Sequence, residues 1–91
     1  GNPGVLSKVD IEHRRAELAR LKVHPRDDAQ NQAILARANR LYEENLGSMR
    51  TLIGAEIDRM RNVIEGQDPE QITAMRARLG EFLDSIDRSL L

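Results

Sequence analysis

Six apolar residues, Ile72, Met75, Leu79, Phe82, Ile86 and Leu90, recur at spacings of 3, 4, 3, 4 and 4. That rhythm places every one of them on one face of an α-helix, whereas a strand would need a period of two. Leu83 widens the stripe, and Gly80 interrupts it at a point that suits a kink or a close helix contact. The start of this helix is also written in the chain. In Gln67-Asp68-Pro69-Glu70-Gln71, Asp68 is the expected N-cap and Pro69 the first helical residue, with Gln71 placed to complete a capping box.

The rest of the chain divides in the same way. Residues 1–6 contain two Gly and a Pro and read as a loop. Ser7 is the expected cap of a first helix over Lys8–Lys22, with Asp10 in its first turn. The apolar stripe of that helix is thin: Val9, Ile11, Ala16, Leu18, Ala19 and Leu21. His24-Pro25 breaks the pattern, because proline disfavours helical geometry in the residue before it. A second helix is expected from Pro25 to about Asn45, with Asp27 and Asp28 in its first turn and Ile34, Ala38 and Leu41 on its inner face. Gly47 suits a left-handed reversal and Ser48 a new cap, while a single bent helix running through Gly47 is the alternative, since one glycine costs only about 1 kcal/mol. A third helix then carries Ile53, Ile57, Met60 and Ile64 and stops at Gly66.

These segments define an all-α chain: a projecting N-terminal helix followed by a three-helix antiparallel bundle. The boundaries are 1–24 for the leader and first helix and 25–91 for the bundle. Short connections make the last three helices antiparallel neighbours. Their expected core is Ile34, Leu41, Ile57, Met60, Ile72, Leu79, Phe82 and Ile86. The first helix has too few apolar positions to sit inside that core, and a helix of its length is marginal alone in water. It therefore reads as a segment that needs a partner, including a second copy of itself.

Composition removes several function classes. Fourteen Lys and Arg against fifteen Asp and Glu leave a net charge of −1, without the cationic excess of a nucleic-acid wrap or a polybasic membrane anchor. The absence of cysteine excludes disulfides, thiolate zinc sites and cysteine nucleophiles. No apolar run approaches the roughly 20 residues that span a bilayer. His13 and Glu17 share a helix face, but two ligands do not close a metal site. Arg14, Arg20, Arg40, Arg59 and Arg88 each have an acid three or four residues away, the pattern of a solvated helix surface. Neither a glycine-rich phosphate loop nor a serine-centred elbow is present, and the paired acids Asp27-Asp28 and Glu43-Glu44 have no surroundings that would split their pKa values. The residues themselves describe a helical module without catalytic chemistry.

Two stretches carry a resemblance. Leu18-Ala19-Arg20-Leu21-Lys22-Val23-His24-Pro25-Arg26-Asp27, followed by Asn31 and Leu35-Ala36-Arg37-Ala38-Asn39-Arg40-Leu41-Tyr42-Glu43-Glu44, is similar to the HscC-like branch of the bacterial DnaK family. Ile64-Glu65-Gly66-Gln67-Asp68-Pro69-Glu70-Gln71-Ile72 resembles the turn joining the last two long lid helices in the seventy-kilodalton heat-shock chaperones. Pro3-Gly4-Val5-Leu6-Ser7 looks like the segment that leaves the β-sandwich of those proteins. The resemblance covers nearly the whole chain, as a helical pattern with short motifs.

It implies that the chain is the C-terminal lid of an ATP-dependent, stress-response chaperone of the bacterial cytoplasm. ATP and magnesium would belong to the ATPase domain of the parent, and this segment would hold no cofactor and no enzyme activity of its own. The implied partners are the β-sandwich peptide-binding domain of the same parent and unfolded client polypeptides, with no nucleic acid and no membrane. Val9, Ile11, Leu18 and Leu21 would dock on the sandwich, and His24 and Pro25 would form the hinge. The family often has an acid and a histidine one turn apart on the second helix, pairing with sandwich loops. The matching positions here are near Gln32 and Ala36, which lack that chemistry, so Arg37 or Arg40 is the implied substitute latch. The alternative is a free-standing helical adaptor or oligomerisation module.

Overall fold

The computed structural model describes the backbone of residues 7–89, and the side chains of all of these except 18–22. Four helices follow in order: α1 (Lys8–Lys22), α2 (Ala29–Glu44), α3 (Gly47–Gly66) and α4 (Pro69–Ser89), with a 3-10 turn at Pro25–Asp27. There is no strand among the described residues. The all-α helical bundle expected from the periodicity is the fold observed. The molecule is elongated, 68 × 24 × 18 Å.

The core is built where α2, α3 and α4 meet, and each of these helices packs on the other two. Ala38, Ile53, Met60, Leu79 and Leu83 have no exposed surface, and Leu41, Ile57, Ile64, Ile72, Met75 and Ile86 join them. Ile34, Leu35, Met49, Val63 and Phe82 pack around the edge. Two expected core residues thus move outward: Ile34 and Phe82 are half-buried, while Leu83, read as the margin of the stripe, lies at the centre. Aliphatic side chains fill the interior, and the one phenyl ring lies at its rim. The order of contacts fixes the layout. Asn31 meets Arg76 and Arg37 meets Asp84 and Asp87, so position rises along α2 and α4 together. Towards α3, His24 faces Glu65 and Tyr42 lies against Gly54, so position falls along α3 as it rises along α2. A methyl group at Gly54 would sit 3.3 Å from the Tyr42 ring, so glycine allows that close approach.

The helix boundaries carry three corrections. The second helix begins at Ala29, not Pro25, because His24-Pro25-Arg26-Asp27 closes its own 3-10 turn. Asp28 then becomes the N-cap of α2, accepting the Gln30 N–H at 2.9 Å and the Asn31 N–H at 3.2 Å. Ser48 caps nothing: α3 opens at Gly47, whose φ of +65° reverses the chain, and the preceding residue is Leu46. At the other end the left-handed position is held by Gln67 (φ +58°), one residue beyond Gly66, and its N–H donates to the Ile64 carbonyl at 3.0 Å. Asp68 caps α4 through the Glu70 N–H at 3.0 Å; among the described residues, Gln71 makes no return bond. α4 runs through Gly80 unbroken.

α1 starts as expected, with the Ser7 hydroxyl accepting the Asp10 N–H at 3.1 Å. Among the described residues it packs against no other element. It ends at Lys22, and the next residue, Val23, is extended.

Candidate functional site

Between α1 and the bundle lies an elbow, residues 24–28, built on a 3-10 turn. His24 begins it. Its Nδ1 accepts the Arg26 N–H at 3.0 Å, and its backbone carbonyl accepts the Asp27 N–H at 2.8 Å. The imidazole is turned inward, with Nε2 at 4.0 Å from a Glu65 carboxylate oxygen at the end of α3. The Pro25 carbonyl accepts twice, from the Asp28 N–H at 3.2 Å and from Asn31 Nδ2 at 2.9 Å. Asn31 is almost fully buried, 2% exposed, and its Oδ1 accepts from Arg76 Nη1 of α4 at 2.8 Å. A buried amide is stable only when its donors and acceptors are matched, and here both ends of the Asn31 side chain are engaged. An open cavity of about 310 Å³ lies beside the elbow, lined by Val23, Pro25, Asp28, Asn31, Pro69, Ile72, Thr73 and Arg76.

The expected hinge residues His24 and Pro25 therefore lie together, seated against the bundle. Of the expected docking residues, Val9 is 73% and Ile11 40% exposed. On a helix, two residues two positions apart point about 200° from each other, so Val9 and Ile11 do not share a face. The side chains of Leu18 and Leu21 lie outside the described residues. The two latch arginines differ in placement. Arg37 reaches across to α4, with one guanidinium nitrogen 2.8 Å from Asp84 and 2.5 Å from Asp87. The hydrogen bonds it donates to Asp87 and then Asp84 raise this guanidinium above its already high ordinary range. Both acids are about half exposed, so the fork contributes at most about 1 kcal/mol per pair. Arg40 is exposed and makes no ion pair among the described residues.

Three polar arrangements go beyond the one-turn pairs expected from the sequence. Glu56 is 8% exposed inside the α3–α4 contact, where Arg78 grips both carboxylate oxygens at 2.9 and 3.2 Å and Arg59 adds 2.8 Å. Arg50 caps the end of α2: its Nε donates to the Asn45 and Tyr42 carbonyls at 2.8 and 3.0 Å, and its Nη2 to Glu43 at 3.3 Å, with the guanidinium 4.9 Å above the Tyr42 ring. The third is the Asn31–Arg76 pair. The one clue was spacing, since Glu56 falls between Ile53 and Met60 on the apolar period and Asn31 falls three before Ile34. Of the five arginines with an acid one turn away, Arg59 is the one that pairs among the described residues.

His13 Nε2 and Glu17 Oε1 lie 3.1 Å apart on the exposed surface of α1. Among the described residues no group of three or more His, Cys, Asp or Glu converges. No helix of the described residues is long and apolar enough to cross a membrane. The arrangement can thus hold a helix at a defined exit from a bundle and present it to a second body. No protein-family model matches the chain, and no solved structure matches it.

Proposed function

We propose that this chain is the helical lid of an ATP-dependent chaperone of the seventy-kilodalton heat-shock type, in the HscC-like branch. The observation that supports it most is the division between α1 and the rest. Helices α2–α4 close a core among themselves, while α1 leaves through a proline elbow with Val9 and Ile11 in solvent. A lid needs those two parts: a rigid cover, and a stem that gains its contacts from another domain. In this reading α1 lies on the β-sandwich domain of the parent through the face of Ile11, Leu18 and Leu21, with Val9 on the opposite side, and α2–α4 cover the bound client segment. Closing the cover lowers the rate of peptide release without adding chemistry. Arg40, solvent-facing on α2, is the better candidate for a latch to the sandwich, since Arg37 already bridges to α4. ATP, magnesium and hydrolysis belong to the ATPase domain of the parent, and the protein works in the bacterial cytoplasm.

The test is release of a fluorescent peptide from the parent chaperone in its ADP state. Truncation after Lys22 is expected to speed release several-fold while leaving ATP hydrolysis intact. Unchanged release from the truncated protein would refute the lid assignment. A second reading, a free-standing adaptor or oligomerisation module, draws on exposed apolar residues of the bundle itself: Leu46 at 76% and Leu52 at 53%. It gains support if the upstream reading frame encodes no ATPase and the chain self-associates through Leu46 and Leu52.

A further inference from the structure

We propose that the elbow is a fixed joint clamped by Asn31 and Arg76, and that the pivot of α1 lies before it, at Val23. Proline in a connection suggests a hinge, but every residue of this turn is tied down. His24 caps it, Pro25 is bonded through its carbonyl, and Asp28 belongs to the cap of α2. The turn packs on α2 and α3 alike. The tie that matters runs from the turn to the far helix: Pro25 carbonyl, Asn31 amide, Arg76 guanidinium. It joins the 3-10 turn, α2 and α4 through side chains, and its central member is buried. A buried amide with both ends engaged cannot rotate without breaking a bond in a water-poor site.

Val23 has none of this. It is 51% exposed and extended (φ −129°, ψ 111°), and among the described residues no hydrogen bond ties it to the bundle. Unlike Pro25, it has a φ angle free to turn. The cavity beside it leaves space for its side chain to move. Asn31 and Arg76 are thus positioning residues: they fix the point and direction from which α1 departs, and Val23 sets how far it swings. This holds whether or not the bundle is a chaperone lid.

Backbone ¹⁵N relaxation on the whole chain tests it, read with amide exchange. In the wild type, residues 26–28 are expected to be as rigid as the middle of α2, with the loss of order beginning at Val23. Arg76→Met keeps the aliphatic stem but removes the donor. It should speed exchange at Asp27 and Asp28 roughly tenfold, the loss of one hydrogen bond from a charged donor. Leu41 and Leu79 amides and the urea midpoint should stay close to wild type, and Arg76→Lys should restore part of the protection. Order at residues 26–28 clearly below that of the middle of α2 in the wild type would overturn the proposal. So would Arg76→Met exchange that is unchanged, or that rises equally across the bundle.

Discussion

Gly66 and Gln67 offer a prediction whose sign depends on one backbone angle. A glycine at the end of a helix often takes the left-handed conformation, and replacing such a glycine destabilises the protein. In the structure Gly66 is the last residue of the helix, and the positive φ belongs to Gln67. Glycine in a helix is less stable than alanine by about 0.5–1 kcal/mol. A methyl group at Gly66 would meet nothing within 4 Å. Gly66→Ala should therefore stabilise, towards the lower end of that range because the residue is terminal. For a domain of this size, about 0.5 kcal/mol raises Tm by roughly 2–4 °C. Gly47 is the control. It also has open space around it, but its φ is +65°, so Gly47→Ala should cost about 1–2 kcal/mol and lower Tm. Thermal unfolding of the two single variants, followed by circular dichroism at 222 nm, gives both signs in one experiment. A fall in Tm for Gly66→Ala would mean that Gly66, not Gln67, turns the chain.

The remaining predictions concern packing and capping. Leu83→Ala should cost about 2–5 kcal/mol, since Leu83 is fully enclosed, whereas Phe82→Leu at the edge of the core should cost less than about 1.5 kcal/mol; urea unfolding of the two separates them. Arg50→Ala should cost about 1.5–3 kcal/mol, because three carbonyls at the end of α2 lose a charged donor. Arg50→Lys should recover only part of it, as a single ammonium cannot reproduce the planar fork; equilibrium unfolding of the pair is the check. Gln67→Gly should raise Tm by relieving the left-handed conformation, and an unchanged or lower value would count against the assigned turn.

What could be read from the chain was what local chemistry controls. Ser7, Asp68 and Pro69 mark helix starts because caps act within three or four residues, and the structure places them so. The spacings of Ile53, Ile57, Met60 and Ile64, and of Ile72, Met75 and Leu79, gave the buried faces because helix geometry fixes them. The start of α2 lies four residues beyond the expected Pro25 because Pro25 suits a 3-10 turn as well as an α-helix, and the packing of the turn on α2 and α3 decides between them. The polar ties were not legible. Glu56 and Arg78 are 22 residues apart, and Asn31 and Arg76 are 45 apart. Such partners are chosen by tertiary placement, and no window of sequence holds both. The elbow is legible as a break at His24-Pro25 but not as a clamped joint, since the clamp depends on Arg76, 45 residues from Asn31.

The central structural claim is that α2–α4 with the elbow form the folded unit and that α1 stands outside it. Urea unfolding of residues 24–91 against the full chain tests this most directly. One cooperative transition is expected in both, with the same midpoint and the same m-value, because among the described residues α1 packs on no other element. A truncated chain that unfolds at lower urea, or without a cooperative transition, would show that α1 is part of the core and would contradict the account.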